Sequence, residues 1–368
     1  MAFQQSELGP AHPDSPPASL ALILPGPEYE LDNMEITTVA DDEVVIYDGV
    51  KMRRFTDLTP DTEHDLDGVR VRTLARPAGS LLCRFATVND LHFGEVEAGR
   101  LGEHSTGPVQ RVPEGAEPYP EVMNRTAADE IDALGVAALI VKGDLSVDGR
   151  PQEWAAFERC YREPFGDRLH VVRGNHDSYQ NQDSYAGDQW IQLPGVNIAL
   201  LDTAIPGETT GQVTATQMEW LADQCSNSPT PVIAMGHHQQ WVGEASGRRS
   251  DTYFGLHPDG SDLLDEVATR CPRLIAYTAG HTHRHRVRTM TASRIPTIEV
   301  GCTKDFPGTW AEYRVHEGGV MQVVHRMSSP EALAWSEQCR TLYAADGVDY
   351  AAYALGALGD RCFNIALR

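Results

Sequence analysis

Apolar runs alternating with amphipathic stretches of helical spacing predict an α/β fold for this 368-residue chain. The runs are Leu81–Val88, Ala137–Val141, Leu169–Val172, Ile198–Leu201, Pro231–Met235 and Leu274–Thr278, nearly continuous in the way of strands covered on both faces. A second observation agrees with the first. Polar motifs close most of these runs: Asn89-Asp90-Leu91-His92, Gly143-Asp144, Gly174-Asn175-His176-Asp177, Gly236-His237-His238 and Gly280-His281-Thr282-His283. Open α/β sheets gather ligand-binding loops at the carboxyl ends of their strands, so motif position and residue type point to one site.

Taken in order, residues 1–18 are rich in Pro, Ser and Ala and read as a disordered lead-in, having little to bury. Residues 19–80 read as a small β-rich module. Ile36–Val39, Glu43–Tyr47 and Val69–Leu74 favour strands, with Asp-Gly turns at Asp48-Gly49 and Asp67-Gly68. The stretch Phe55–His64 resembles the loop before a strand in fibronectin type III domains, with His64 where a tyrosine would stand. Packing of these strands on the main domain is expected in preference to an independent sandwich.

Residues 81–327 form the main domain in this reading. Helices are expected at Asn124–Leu134, Gln152–Glu163, Thr216–Gln224 and Asp262–Thr269, each with apolar residues at helical spacing. A β-meander follows through Val287–Thr289, Thr297–Val300, Trp310–Val315 and Val320–His325. Residues 328–368 return to Ala-rich composition and predict a helical C-terminal extension.

Composition narrows the function. With 53 acidic against 30 basic residues, the formal charge of −23 disfavours nucleic-acid and anionic-membrane partners. Seven singly spaced cysteines without a CxxC pair fit a reducing compartment. The apolar stretch Leu20–Leu24 is too short for a secretion signal, no run approaches the roughly 20 residues of a membrane span, and a cytoplasmic location is expected.

The strand-end motifs carry the chemistry. In extended backbone, residues two apart point the same way, so Asp90 and His92 would reach one ion together, as would His281 and His283. Asp144 offers a carboxylate able to bridge two cations, and Asn175 a neutral oxygen. Two carboxylates, an amide oxygen and several imidazoles suit two divalent metals rather than one.

In kind and order these motifs resemble the pattern D-x-H, GD, GNH[DE], GH and GHxH of the calcineurin-like metallophosphoesterase superfamily, matched at every block over roughly Leu82–Met327. The resemblance implies a four-layer α/β/β/α sandwich. It implies one metal held by Asp90, His92, Asp144 and His283, and a second by Asp144, Asn175, His237 and His281. Mn, Fe and Zn all suit that mixed ligation. Asp144 and His176 would then carry catalysis, His176 contacting the phosphoryl group or protonating the leaving oxygen, with Asp177 orienting a neighbour. Ions about 3.5 to 4 Å apart would activate a water for in-line attack on phosphorus. The segment Gly211–Leu221 further resembles a helix entry of the branch related to cyclic-nucleotide phosphodiesterases.

A small phosphate ester is therefore the expected partner, most plainly a diester such as a 3′,5′-cyclic nucleotide, because His176 offers a proton to a poor leaving group. The alternatives are a phosphomonoesterase acting on nucleotides or sugar phosphates, and a metal-binding scaffold without catalysis. A nuclease would need a basic stripe. A homodimer is compatible with the resemblance. His238 is expected either to support its neighbours or to touch substrate. Loops 95–123, with His104 and Tyr119, and 239–259, with Arg248, Arg249 and His257, are candidate walls of the site.

Overall fold

The computed structural model describes residues 34–100, 107–241 and 255–368. Two six-stranded sheets make its centre. The first runs, edge to edge, Phe363–Ala366, Gly319–Arg326, Thr309–His316, Leu81–Val88, Ala138–Lys142, Leu169–Val172. The second runs Arg286–Thr289, Pro296–Glu299, Leu274–Ala279, Val232–Met235, Val196–Leu200, Gln189–Leu193. Leu81–Val88, Ala138–Lys142 and Leu169–Val172 pair in parallel, as do the four inner strands of the second sheet. All their carboxyl ends therefore rise on one side.

Side-chain alternation explains the layers. Ala138 and Ile140 enter the core between the sheets, while Leu139 and Val141 face outward to helices. In the second sheet Ile198, Leu200, Ile233 and Met235 point inward and Ala199, Leu201, Val232 and Ala234 outward. Helices Tyr119–Leu134, Pro151–Phe157, Pro330–Cys339 and Tyr350–Leu355 cover the first sheet, and Ala215–Asn227 and Pro258–Arg270 the second. The result is the α/β/β/α sandwich the resemblance implies. Helix Ala215–Asn227 begins at a capping box: Gln217 N–H donates to Thr214 Oγ1 at 3.2 Å and Thr214 N–H to Gln217 Oε1 at 2.9 Å. The Gln217 amide also donates to Asp188 Oδ1 and the Asp202 carbonyl. The glutamine of the Gly211–Leu221 motif thus serves the fold rather than a substrate.

Both ends of the chain pack onto this frame. Met34–Val39, Val44–Asp48 and Lys51–Phe55 form one small sheet, and Glu63–Leu66 with Val69–Arg72 a separate ribbon, so no fibronectin-type sandwich closes among the described residues. They lean on the first sheet instead: Thr38 Oγ1 donates to the Val324 carbonyl at 2.6 Å and Tyr47 OH to that of Arg326 at 3.0 Å. Val39, Val44 and Ile46 join the core between the sheets. The expected lead-in, 1–18, lies outside the described residues. The C-terminal stretch is helical only to Arg361; Phe363–Ala366 then pairs antiparallel with Gly319–Arg326 and completes the first sheet. Four residues with Phe363 and Ile365 buried are too short a signal to stand out beside Ala-rich helices. The strand Gln189–Leu193 was likewise not anticipated. All seven cysteines are free. No helix among the described residues is long and apolar enough to cross a membrane.

Ion pairing secures the outer face of the first sheet. Glu312, with a fully buried side chain, meets His325 Nε2 at 3.1 Å, Arg314 Nε at 3.1 Å and Arg84 Nε at 3.2 Å. Arg314 also donates to Asp41 and Asp42, each at 2.7 Å, tying the N-terminal strands to this sheet. Burial opposes charge on Glu312, but His325 and the two arginines outweigh it and hold its carboxyl at about 2 instead of 4.5. Stability from this group is full above pH 4.5 and lost as pH falls toward 2. Glu312→Gln should lower neutral-pH stability toward the lower end of roughly 3–5 kcal/mol, since Arg314 keeps its aspartates, and flatten the acid slope of urea midpoints measured between pH 7 and 3.5.

Candidate metal centre

Both sheets contribute to one cluster at the carboxyl ends of their parallel strands. The first sheet supplies Asp90, His92, Asp144, Asn175 and His176; the second supplies His237, His238, His281 and His283. Donor atoms of Asp90, His92 and His283 lie within 4.8 Å of one another, as do those of Asp90, Asp144 and His237. His92, Asp144 and His176 make a third such group, and His237, His238 and His281 a fourth. His237 Nε2 sits 3.0 Å from Asn175 Oδ1 and 3.2 Å from Asp144 Oδ2, and 3.1 Å from His281 Nδ1. His92 Nε2 is 3.5 Å from Asp144 Oδ2, and His283 Nε2 is 3.5 Å from Asp90 Oδ1. Every residue anticipated as a ligand is in this cluster.

The backbone that aims them is not extended. Asp90, His92, Asp144, His281 and His283 have φ of 54°, 49°, 51°, 70° and 55°. Convergence of Asp90 with His92, and of His281 with His283, therefore comes from left-handed turns and not from the strand pleat expected above. Such conformations cost non-glycine residues about 1–2 kcal/mol each, and surrounding contacts hold them. Leu91 and His92 N–H both donate to the Asp144 carbonyl, at 2.7 and 3.0 Å, and His281 N–H donates to the Asp90 carboxylate at 3.0–3.1 Å. Gly143 and Gly174 clear the space: an added Cβ would lie 2.5 Å from His237 Nδ1 at the first and 2.2 Å from Asp144 Oδ1 at the second.

Asp177 joins the two loops that carry Asp144 and Asn175. It accepts from Gly174 N–H at 2.8 Å, Leu145 N–H at 3.1 Å, Ser146 N–H at 2.9 Å and Ser146 Oγ at 2.7 Å. His176 N–H donates to Asp144 Oδ1 at 3.0 Å, and its Nδ1 lies 2.8 Å from the Val147 carbonyl, which fixes the ring and leaves Nε2 to the pocket. His237 Nδ1 similarly meets the Lys142 carbonyl at 2.8 Å, turning Nε2 inward. His238 contacts Thr203 Oγ1 at 2.8 Å through Nδ1 and keeps its buried Nε2 unpartnered. Of the loop candidates, Tyr119 stacks on Trp335 with centroids 4.1 Å apart and His257 contacts Thr210. His104, Arg248 and Arg249 lie outside the described residues.

Residues not anticipated surround this cluster. Lys304 bridges Glu95 at 2.6 Å and Asp305 at 3.3 Å, and these carboxylates lie 3.8 Å from His92 Nδ1 and 3.9 Å from His283 Nδ1. Tyr350 OH donates to Asp305 Oδ1 at 2.8 Å, and Cys302 Sγ to the same oxygen at 3.1 Å. Gly301-Cys302-Thr303-Lys304-Asp305 is another polar stretch after a strand, a signal of the same kind as the other motifs. Lys142, fully buried, donates from Nζ to Thr278 Oγ1 at 3.1 Å and the Ala279 carbonyl at 3.0 Å.

Electrostatics suit cation binding. Burial opposes ionisation of Asp90 and Asp144, yet neighbouring imidazoles, His283 and His237 foremost, hold both carboxyls well below the usual range. Burial, then Lys304 and His176, push His92 down to about 4; burial, then His237, push His281 down to about 3. Burial opposes charge on His237 too, but Asp144 and Asp90 outweigh it and raise the pKa to about 9; against the same burial His283 is raised as well, by Asp90. Both ring nitrogens of His92 are buried without a hydrogen-bond partner. Ionised carboxylates beside the unprotonated imidazoles of His92 and His281 suit a divalent ion, which would displace the protons that the carboxylates hold on His237 and His283, so the residues fit such a group.

Comparison with known proteins gives a family and a fold. The calcineurin-like phosphoesterase family matches residues 83–285. A probable cyclic nucleotide phosphodiesterase of Synechococcus sp. is 27% identical over 154 residues, 40% of this chain and 57% of that protein. A cAMP/cGMP dual specificity phosphodiesterase of Mycobacterium tuberculosis is 30% identical over 115 residues, 27% of this chain and 36% of that protein. A 3′,5′-cyclic adenosine monophosphate phosphodiesterase of Pseudomonas aeruginosa is 22% identical over 187 residues, 46% of this chain and 63% of that protein. The chain thus spans less than two thirds of the length of each of these relatives. Among solved structures, a dimetal phosphatase from Danio rerio superposes with a TM-score of 0.52 at 13% identity, covering 78% of this chain and all of that one.

Asp177→Ala should leave three buried backbone donors unsatisfied and lower stability by on the order of 3 kcal/mol, read from urea midpoints. At fixed free Mn²⁺ it should also weaken metal uptake about 10- to 100-fold. Unchanged uptake would show that the loops hold without it.

Proposed function

The chain belongs to the calcineurin-like phosphoesterase family, and on that premise we propose that it is a metal-dependent phosphodiesterase acting on a small diester of the 3′,5′-cyclic nucleotide kind. The observation that carries this reading is the pair of donor groups that meet at Asp144. Asp90, His92, Asp144 and His283 would hold one divalent ion, and Asp144, Asn175, His237 and His281 a second, with Mn, Fe or Zn compatible with both sets. When bound, such ions acidify water and neutralise phosphoryl oxygens.

The chain's own residues supply the rest. Asp144 is positioned for two roles at once, one oxygen accepting from His176 N–H at 3.0 Å and the other facing His237 and His92. Its dual contact couples the ligand set to the orientation of His176. With Nδ1 committed to Val147, His176 presents Nε2, which would contact a phosphoryl oxygen or pass a proton to the departing alkoxide. Its ring lies 4.5 Å from that of His92 and 4.7 Å from that of Tyr179, so it stands at the mouth of the cluster. Tyr179 OH in turn receives the Asn175 amide at 2.6 Å, leaving the Asn175 oxygen for the metal side. Preference for a diester is supported by the names of the three phosphodiesterase relatives.

Hydrolysis of bis-p-nitrophenyl phosphate and p-nitrophenyl phosphate by Mn-loaded protein, side by side, tests the proposal. The diester should be preferred, and Asn175→Ala should lower its rate by at least about 100-fold with the circular dichroism spectrum unchanged. Preference for the monoester would replace diester with monoester chemistry. Metal-dependent turnover of neither, by protein that binds Mn²⁺, would favour a metal-binding scaffold.

A further inference from the structure

A group of arginines occupies the outer face of the second sheet, beside the strand end that carries His281 and His283. Arg286 and Arg288 alternate along the edge strand, opposite Glu299 and Thr297, while the intervening Ile298 faces the inter-sheet core. Arg284 reaches the same face. Its Nε donates to Glu299 Oε2 at 2.8 Å, and Arg288 Nη2 donates to Oε1 at 3.0 Å. Glu299 is 1% exposed, and each of its oxygens accepts from one of these two. Arg284 also lies over the Tyr353 ring, 5.1 Å from its centroid, and Arg288 donates to the Gln240 carbonyl at 3.2 Å.

Arg286 stands apart. It is half-buried between these two cations, yet among the described residues its guanidinium makes no hydrogen bond and no ion pair. The other carboxylate whose field reaches it, Asp360, accepts instead from Val287 N–H and Ala357 N–H, each at 2.8 Å. Burial, then Arg284 and Arg288, push the pKa of Arg286 down to about 10. Three guanidinium groups thus face two carboxylates, both already satisfied, in a chain whose formal charge is −23. Burying a cation without a partner costs free energy, and nothing among the described residues of this edge recovers it.

We infer that Arg286, flanked by Arg284 and Arg288, is a receptor for a phosphate group distinct from the one that would reach the metal centre. Two strand spacings, about 10 Å, separate the edge strand from Leu274–Ala279, which leads into His281, so one ligand could span both sites. A planar fork of donors matches phosphate oxygens, and arginine keeps its charge through the physiological range. The phosphate is either a second phosphate on the substrate or free inorganic phosphate. The first source rests on the phosphodiesterase reading; the second does not.

Titration calorimetry of inorganic phosphate into the full-length Mn-loaded chain tests this. Arg286→Gln should bind one phosphate fewer per chain than the wild type, and Arg286→Lys should retain that site with weaker affinity. Equal stoichiometry in wild type and Arg286→Gln would overturn the proposal. If the metal centre does not take phosphate, the wild type still binds one and Arg286→Gln none, so failure of the phosphodiesterase reading is seen separately. Melting in phosphate-free buffer guards against a structural role: relief of an unpaired cation should leave Arg286→Gln as stable as wild type or more so, whereas a clear fall in Tm would overturn the proposal. The source follows from KM values for diesters with and without a second phosphate. An increase of about 10- to 100-fold with Arg286→Gln confined to the former assigns the site to substrate; parallel KM values with loss of calorimetric binding assign it to free phosphate.

Discussion

The proposed ligand set is divided between two sheets and comes together only while their ends are locked in one register. Asp90, His92, Asp144 and Asn175 belong to one sheet; His237, His281 and His283 belong to the other. Apolar packing between sheets fixes their separation but tolerates small slides, because it has no direction. Direction comes from hydrogen bonds across the gap. His237 Nδ1 meets the Lys142 carbonyl, Lys142 Nζ reaches the Ala279 carbonyl, and the Asn89 amide donates to the carbonyls of Val300 and Gly301 at 3.1 and 3.2 Å. His281 N–H closes onto Asp90. These ties are buried, so each has no water to fall back on, and together they set where the imidazoles stand relative to the carboxylates.

Around that junction the charges are arranged in shells. Innermost are Asp90 and Asp144 with their imidazoles, then Glu95 and Asp305 facing the far nitrogens of His92 and His283, then Lys304 binding both carboxylates. The arrangement keeps the outward ring nitrogens of His92 and His283 next to negative charge, which would raise the electron density those rings offer to a cation. In this strongly acidic protein, ions held at the strand ends would add local positive charge beside the arginines already gathered on the adjoining edge.

Much of this was legible from residues alone. The strand-end motifs stood out because apolar runs ending in Asp, Asn and His are chemically costly unless the polar groups are used, and their order in the chain assembled Asp90 through His283 into one site. The alternation of runs and helices likewise revealed the layers. What could not be read depends on conformation or on distance in sequence. Left-handed backbone at Asp90, His92 and His281 leaves only a weak mark in residue type, since Asp and His enter that region more often than most residues but still rarely. Glu95 and Lys304 are separated by more than 200 positions, and no local pattern pairs them. Lys142 follows an apolar run directly, where a charge usually meets solvent, yet it is buried beneath the cluster. Gln189–Leu193 and Phe363–Ala366 are edge strands too short to show a period.

The placement of Phe363–Ala366 bears on how the protein is made. This strand seals the edge of a sheet whose central member, Leu81–Val88, emerges from the ribosome nearly three hundred residues earlier. The same closing segment anchors the N-terminal strands, for Arg361 donates to the carbonyls of Thr37 and Ile36, 324 and 325 positions away. Until it arrives, Gly319–Arg326 presents an open row of backbone donors and acceptors, and Met34–Val39 lacks part of its seat. Such non-local closure slows folding and leaves a nascent chain with a sticky strand edge during synthesis. A fold whose sheet is closed by so distant a segment depends on that segment docking promptly once it is made, which places a kinetic hazard in biogenesis rather than in the finished molecule.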